Sequence, residues 1–288
     1  RLSSFAPMKF FLFMLLLCFH AGSSAAMITT IKPLTLIANE VTRGIEQPQQ
    51  LLADGVSAHD YALRPSERLR LQQAELDIWV GGSHETFLRA MLKNNTKNLS
   101  LETLPTSKRL TWRNLETNLS QANTLDAHLW LSPDNAIALA YAIANARGKQ
   151  RPKDAAKYQQ NALNFAKNLK NSLKPIQAKF AQLPQRQYIA YHDAYQYLEA
   201  SFGLQYRGSI SISPEQKSGL KHLLSLKKQV QQQHLRCLLA EPQFDEDLAN
   251  QIFGDTGRYV MVDESFTRAT SYSAGLVQMA EAIYGCVK

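Results

Sequence analysis

Three histidines lie at similar places along the chain, where a regular segment gives way to a loop. They are His59 in Ser57-Ala-His-Asp-Tyr, His128 in Asp126-Ala-His-Leu-Trp and His192 in Tyr191-His-Asp-Ala-Tyr. Such junctions gather at one edge of an open α/β sheet, where ligands usually bind. Three neutral imidazoles meeting there favour a borderline-soft divalent ion, zinc first. Judged on spacing alone, three unrelated structural or surface histidines are an equal alternative.

A fourth histidine, His84, follows a predicted strand in Gly-Gly-Ser-His-Glu. It is an alternative zinc ligand, and an exposed loop histidine is the plainer interpretation. Carboxylates beside ligating histidines often fix the orientation of the rings. Asp60, Asp126 and Asp193 are adjacent candidates for that role. His222 lies in a lysine-rich helix and is expected at the surface.

Strands and helices alternate in both halves of the chain, which predicts two α/β lobes with mostly parallel sheets. Predicted strands cover residues 27–31, 49–53, 76–80, 100–104, 187–191, 235–240 and 258–262. Predicted helices cover residues 34–42, 65–74, 85–92, 134–146, 152–183, 194–202, 214–233, 244–253 and 271–284. The helix over 152–183, with a kink expected at Pro175, would be about 45 Å long and could connect both lobes. The expected organisation is an N-terminal lobe at 27–149, a connecting helix at 150–184 and a C-terminal lobe at 185–288.

The first 26 residues have the pattern of a secretory leader. From Met8 the sequence has a basic residue, an apolar run of about a dozen residues and then small residues, so cleavage is expected after Ala26. The apolar run is shorter than the roughly 20 residues of a spanning helix. Cys18 lacks the small preceding residue of a lipoprotein signal. A soluble, exported protein is therefore expected.

Without Cys18, two cysteines remain, Cys237 and Cys286. An even number in an exported protein predicts a disulfide, here between a predicted strand and the C-terminal helix. Two reduced, buried thiols are the alternative.

The formal net charge of +8 includes Arg1 and Lys9 of the expected leader, which leaves about +6. A hydrophobic fraction of 45% and a charged fraction of 19% are ordinary for a globular protein. Lysines are spread along the helix predicted at 152–183, which is typical of a solvated face. Nucleic-acid binding is not expected.

Five motifs follow one another along the expected mature chain. They are Ile31-Lys-Pro-Leu34, Gly55-x-x-x-His-Asp-Tyr-x-Leu-Arg-Pro-Ser66, Ala74-x-Leu-Asp-x-x-Val-Gly81, Asp126-x-His-x-Trp-Leu-Ser-Pro133 and Tyr191-His-Asp-Ala-Tyr195. Together they resemble the motifs of the zinc-binding periplasmic receptors of ABC importers, the ZnuA-type proteins. The placement of the two cysteines also resembles the disulfide of some of those receptors. The resemblance implies two α/β lobes joined by one long helix, with the metal in the cleft between them.

The resemblance implies His59 and His128 as ligands from the N-terminal lobe and His192 from the C-terminal lobe. Manganese-binding relatives have a carboxylate at the third position, so an imidazole there favours zinc. Asp263 matches an aspartate of the family, although Val262-Asp-Glu-Ser-Phe266 departs from the family's Leu-Asp-Pro-Leu-Gly motif. The fourth ligand is accordingly open between Asp263, His84 and water.

Two further departures concern the surroundings of the histidines. Ala58 stands where many relatives have a glutamate. Residues 108–125 contain no histidine, whereas many relatives have a long histidine-rich loop before the second ligand. A role of such a loop in capturing zinc is therefore not expected.

These features imply a receptor, not an enzyme, that captures zinc and delivers it to an ABC permease, and we expect a monomer. An exported zinc hydrolase is the alternative, because three histidines and an open position also describe a catalytic zinc. It would require Glu241 or Asp193 as general base, and the sequence has no His-Glu-x-x-His motif. An exported adhesion protein is a third interpretation.

Overall fold

Two parallel four-stranded sheets form the frame of the molecule. The computed structural model describes residues 27–58, 61–211, 218–242, 244–254 and 257–288. The first sheet contains β1 (Met27–Thr29), β2 (Gln49–Gln50), β3 (Leu76–Trp79) and β4 (Asn98–Ser100), and the second contains β5 (Gln187–His192), β6 (Gln205–Ser211), β7 (Cys237–Ala240) and β8 (Arg258–Met261). Their orders are β2-β1-β3-β4 and β6-β5-β7-β8, with all neighbours parallel. The predicted α/β class with two parallel sheets is confirmed.

Helices cover both sheets. They are α1 (Lys32–Thr42), α2 (Pro65–Gln73), α3 (Arg89–Leu92), α4 (Pro133–Gln150), α5 (Ala155–Ala181), α6 (Gln196–Phe202), α7 (Leu220–Gln232), α8 (Glu246–Phe253) and α9 (Tyr272–Val287). Several begin at the capping signals of the sequence. Before α4, the Ser132 hydroxyl accepts a hydrogen bond from the backbone N–H of Asn135, with Pro133 at the first helical position. Below, the elements around the first sheet are called the N-terminal lobe and those around the second the C-terminal lobe.

The long helix α5 contacts α1 and α4 of the N-terminal lobe and α9 of the C-terminal lobe. It has 27 residues and continues through Pro175, which corresponds to a length of about 40 Å. Its buried side chains recur every three or four residues, so one face is apolar along the helix. Phe165, in the first half of the helix, packs edge-on against Tyr272, and Phe180, near its end, packs against Phe202. One amphipathic helix thereby joins the cores of the two lobes.

Strand β6 was not expected from the sequence. Its seven residues are mostly polar, and the strand lies at the edge of the second sheet. A strand of mostly polar residues lacks the continuous apolar run that identifies a central parallel strand. Gly208 has φ +146°, and a Cβ there would lie 3.0 Å from the Leu226 side chain. A glycine in a strand weakens the sequence signal further.

Two predicted boundaries were wrong for local reasons. Helix α4 continues past Gly148 to Gln150, because the buried Arg147 guanidinium in its last turn pairs with the Glu46 carboxylate. Of the strand predicted at 100–104, only the first residue lies in β4, and a 3₁₀ turn follows at Leu101–Thr103. In that turn the Glu102 carboxylate accepts a hydrogen bond from the backbone N–H of Ser83.

The predicted disulfide between Cys237 and Cys286 is present and joins β7 to α9. It anchors the C-terminal helix to a central strand of the second sheet. The expected leader at 1–26 lies outside the described residues. Within the described ranges, no helix has the length and apolar character needed to cross a membrane.

Candidate metal centre

Two histidines and a glutamate bring three donor atoms together between the lobes. The Nε2 atoms of His128 and His192 are 3.2 Å apart. Glu264 Oε2 lies 3.5 Å from Nε2 of His128 and 3.7 Å from Nε2 of His192. Ligand atoms of a tetrahedral zinc ion with bonds of about 2.0–2.1 Å are separated by about 3.4 Å. The spacing of the three atoms therefore fits zinc.

His128 is oriented by a carboxylate two residues before it. Asp126 is almost fully buried, and its Oδ1 lies 2.7 Å from Nδ1 of His128 and accepts that residue's backbone N–H at 3.1 Å. This contact leaves Nε2 as the ring nitrogen that faces the other donors. Burial lowers the pKa of His128, but the nearby carboxylates of Glu264 and Asp126 raise it above its ordinary value. The Trp130 indole packs against the ring, with centroids 5.4 Å apart.

His192 is the last residue of the central strand β5, so the strand end directs it into the cleft. Its Nδ1 lies 2.5 Å from Oε1 of the buried Glu241, which follows β7. The Tyr195 hydroxyl donates a longer hydrogen bond, of 3.4 Å, to the same oxygen. Burial lowers the pKa of His192, but the carboxylates of Glu241 and Glu264 raise it to about 9. Glu241, a candidate general base of the hydrolase interpretation, instead orients this central imidazole.

Glu264 lies in the loop after β8. Its backbone carbonyl accepts a hydrogen bond of 2.9 Å from the Trp130 indole N–H, which fixes the loop against the N-terminal lobe. Among the described residues, its buried Oε2 has no hydrogen-bond partner, although it is the oxygen that faces the two imidazoles. A buried carboxylate oxygen directed at two ring nitrogens is suited to a cation.

Asp263, one of the candidates for the fourth ligand, has a different set of contacts. Its Oδ1 accepts hydrogen bonds from the backbone N–H of Ser265 and the hydroxyl of Thr267. Its Oδ2 accepts the backbone N–H of Thr267 at 2.6 Å. The carboxylate thus stabilises the turn that presents Glu264. In the cluster of donor atoms, the oxygen comes from Glu264 and not from Asp263.

The position of His59 lies outside the described residues, as does that of Asp60. The preceding Ala58 is buried and lines a cavity of about 360 Å³ in the cleft. Loops after β1 and β2, together with His84, form one wall of this cavity, and the loops after β7 and β8 form the other. Glu264 and Trp130 also line it, so the donor cluster lies beside the open part of the cleft.

His84 lies in the cleft but outside the group of three donors. Its side chain is only 4% exposed, its ring centroid is 6.4 Å from that of His128, and it packs on Trp130 at 4.7 Å. The adjacent Glu85 is fully buried, and its carboxylate accepts the backbone N–H of Gly81 at 2.9 Å. Burial raises the pKa of Glu85 to about 7. The sequence interpretation of His84 as an exposed loop residue does not describe this position.

Asp193 and Glu241 were the candidate general bases of the hydrolase interpretation, and both already have partners. Glu241 contacts Nδ1 of His192. Asp193 was also a candidate for orienting His192, but it forms a bidentate pair with Arg113 instead. Both carboxylates are therefore engaged by other side chains. Among the other histidines, His222 is buried against the Ser209 carbonyl, contrary to expectation.

Contacts at the rim hold the lobes together. The Lys32 ammonium donates to the Thr267 carbonyl at 2.5 Å and pairs with Asp54 at 2.7 Å. Deeper in the interface, the Tyr272 hydroxyl donates to the Trp130 carbonyl at 2.6 Å. These hydrogen bonds join α1 and the turn before α4 to the C-terminal lobe, so the described arrangement is a closed one.

Comparison with known proteins places the chain in a family. A family model described as "Zinc-uptake complex component A periplasmic" (ZnuA) matches residues 27–286. The high-affinity zinc uptake protein ZnuA of Yersinia pestis is 31% identical over an alignment of 305 positions that covers 92% of each chain. The ZnuA protein of Haemophilus ducreyi is 30% identical over 255 residues, covering 81% of this chain and 82% of the relative.

Solved structures show the same fold. A crystal structure of ZnuA has a TM-score of 0.77 at 21% identity and covers 91% of this chain and 98% of its own. The laminin-binding protein of Streptococcus agalactiae, described as a bifunctional protein with adhesin and metal transporting activity, has a TM-score of 0.78 at 20% identity, over 92% of this chain and all of its own. By the extent of the family match and the identity to its members, this chain belongs to the ZnuA family, the periplasmic components of zinc-uptake systems.

Proposed function

We propose that this protein is a periplasmic receptor that binds one Zn²⁺ ion between its lobes and delivers it to the permease of an ABC importer. One observation carries the proposal: Nε2 of His128, Nε2 of His192 and Oε2 of Glu264 lie within 4.8 Å of one another. Family membership supports the same function.

The proposed ligands are His128, His192, Glu264 and His59. Two imidazoles and a carboxylate leave one tetrahedral position, and His59 is the residue that the resemblance to zinc receptors assigns to it. We assign the oxygen ligand to Glu264 in place of Asp263, because both oxygens of Asp263 accept hydrogen bonds from their own loop. Histidine nitrogens favour zinc over the oxygen-preferring cations.

The division of ligands between lobes supports both capture and release. His128 belongs to the N-terminal lobe, whereas His192 and Glu264 belong to the C-terminal lobe. Closure brings all three to coordination distance, and separation of the lobes removes two of them at once. Asp126 and Glu241 keep the Nε2 atoms directed at the ion. A receptor of this design holds zinc tightly when closed and weakly when open.

We further propose that the protein is a non-catalytic monomer with an N-terminal lobe at 27–149, a connecting helix at 150–184 and a C-terminal lobe at 185–288. The engagement of Asp193 with Arg113 and of Glu241 with His192 argues against a hydrolase. We also propose that the leader is removed near Ala26 during export, which its composition supports.

Calorimetry in metal-free buffer tests the receptor. We expect one zinc ion per chain and a loss of affinity of at least about 100-fold for each of His59→Ala, His128→Ala, His192→Ala and Glu264→Gln. The control is His234→Asn, which changes an exposed histidine at a positive φ that asparagine also adopts. Unchanged affinity in all four site variants would refute the proposed site.

A second measurement separates the receptor from the hydrolase. The zinc-loaded protein is incubated with a panel of ester, amide and phosphate substrates, and turnover is compared with that of the zinc-free protein. We expect no difference between the two. Turnover that rises in proportion to bound zinc would overturn the non-catalytic assignment.

A further inference from the structure

His84 has no part in the four-ligand site, yet it lies in the wall of the same cleft. Its ring is almost completely buried and lines the cavity beside Glu264 and Trp130. The connection at 108–125, where relatives have a histidine-rich segment, has no histidine. His84 is therefore an imidazole at the metal path that the proposed coordination does not use.

The loop that carries His84 is fixed from two sides. The backbone N–H and hydroxyl of Ser83 donate to the Glu102 carboxylate at 3.0 and 3.1 Å. The carboxylate of Glu85 accepts the backbone N–H groups of Val80 and Gly81. His84 itself donates its backbone N–H to the Gly81 carbonyl at 3.1 Å. The Cα of His84 is consequently held in place.

Ring spacing relates His84 to the metal centre. Two imidazoles that share a tetrahedral zinc ion have centroids about 5.2 Å apart, given Zn–N bonds of about 2.0–2.1 Å. The centroids of His128 and His192 are 5.1 Å apart, which fits. The centroids of His84 and His128 are 6.4 Å apart. A rotation that moves the His84 ring by about 1 Å would let these two imidazoles share one ion.

The location of His84 and His128 in one lobe determines what this pair can do when the lobes separate. His84 and His128 both belong to the N-terminal lobe, so separation of the lobes leaves their spacing unchanged. The same movement removes His192 and Glu264 from the ion and opens coordination positions that His84 can fill. We propose that His84 and His128 form a loading site for Zn²⁺ on the N-terminal lobe, which holds the ion before His192 and Glu264 engage it and after they withdraw. This inference rests on the proposed receptor function.

The test removes the C-terminal ligands and asks what binding remains. In the full chain carrying His192→Ala and Glu264→Gln, zinc affinity is measured by competition with a chromophoric chelator. We expect residual binding of one ion, reduced at least tenfold when His84→Gln is added. The matched control is His234→Asn in the same background, with no further loss expected. Equal residual affinity with and without His84 would overturn the loading site.

Two further measurements keep the test decisive. Stopped-flow mixing of zinc with the chain carrying only His84→Gln should show association slowed at least fivefold, and an unchanged rate would count against the proposal. His84→Leu retains the packing on Trp130 without a ring nitrogen and should behave as His84→Gln; native-like loading by this variant would also overturn it. Failure of the receptor function itself is recognised separately, since His128→Ala and His192→Ala would then keep native affinity in the otherwise unchanged chain.

Discussion

Arg113 and Asp193 form a partly buried, bidentate ion pair that joins the segment before α4 to the residue directly after His192. Nε of Arg113 donates to Oδ2 of Asp193 at 2.7 Å, and a second nitrogen contacts Oδ1. The guanidinium also donates to Glu199 at 2.6 Å and lies 3.6 Å from the centre of the Tyr206 ring. One arginine of the N-terminal half thus neutralises two acids of the C-terminal lobe beside the metal centre.

Loss of this arginine should destabilise the protein strongly. Arg113→Met leaves two partly buried carboxylates without their cation. We expect a decrease in the free energy of unfolding of about 2–3 kcal/mol, less than for a fully buried pair. Chemical denaturation followed by circular dichroism measures it. Arg43→Met is the control, because Arg43 is largely exposed in its pair with Glu40 and such pairs contribute about 0–1 kcal/mol. Equal effects of the two variants would show that the buried pair has no special role.

The orientation of His192 by Glu241 predicts a loss of affinity without a loss of fold. Glu241→Gln keeps the size of the side chain but weakens the contact with Nδ1 of His192. We expect zinc affinity to fall about 10–100-fold, measured by chelator competition. Glu246→Gln, an exposed glutamate that accepts a hydrogen bond from Tyr259, should bind zinc as the native chain does. A native affinity for Glu241→Gln would mean that strand β5 alone sets the ring orientation.

Zinc binding should be coupled to proton release over an unusually high pH range. Zinc requires an unprotonated imidazole, whereas the carboxylates of Glu241 and Glu264 raise the pKa of His192 to about 9. For each proton displaced, affinity should fall about tenfold per pH unit below that value. Calorimetry at pH 7 in buffers with different ionisation enthalpies counts the protons. An affinity that is flat between pH 9 and pH 7 would contradict the protonated state of the free site.

The same proton should stabilise the zinc-free protein. The pKa of His192 is raised from an ordinary value of 6.5 to about 9, so its contribution is fully present below pH 6.5 and lost as the pH rises through 9. Between pH 6.5 and pH 9, the free energy of unfolding of the zinc-free native chain should decrease more than that of His192→Gln. We expect the difference between the two decreases to be about 1–3 kcal/mol. Thermal melting of both proteins at the two pH values tests this prediction. Identical losses of stability in the native chain and in His192→Gln would argue against the raised pKa.

A buried carboxylate far from the cleft gives an independent prediction. Asp77 in β3 is almost fully buried, and burial raises its pKa to about 7. Among the described residues, its Oδ1 has no hydrogen-bond partner. Native stability should therefore decline as the pH rises from the ordinary pKa of 3.8 to about 7. Asp77→Asn should remove this decline. The stability of Asp77→Asn relative to that of the native chain should accordingly be about 1–3 kcal/mol greater at pH 8 than at pH 5. Denaturation of Asp77→Asn and of the exposed control Glu116→Gln at both pH values tests it; a similar gain for the control would contradict the argument.

The sequence predicted those parts of the fold that follow from local pattern. Strand β7 is buried on both faces, and its sequence is a continuous apolar run. Ser132, as an N-cap residue, and Pro133, at the first helical position, indicate the start of α4. Strand β6 was missed because its pairing depends on the neighbouring β5 and not on its own apolar residues. An edge strand of mostly polar residues can be assigned only when the rest of the sheet is known.

Prediction from local sequence pattern was limited in the same way for single residues of the candidate site. His192 was placed at the end of a predicted strand, and the strand does end there. The choice between Asp263 and Glu264 depended on a turn in which Phe266 has φ +54° and Asp263 accepts backbone hydrogen bonds. Nothing local in two adjacent acids reveals which one stabilises the turn and which one faces the cleft. The role of Glu241 could not be predicted either, because its partner His192 is 49 residues away along the chain.

The three donor atoms that meet between the lobes belong to residues 128, 192 and 264, which are far apart along the chain. No short described segment contains both nitrogen donors and the carboxylate, so the cluster exists only when both sheets have formed and the lobes are packed together. The unfolded chain therefore has no preassembled set of donors, and we expect its affinity for zinc to be far weaker than that of the native protein.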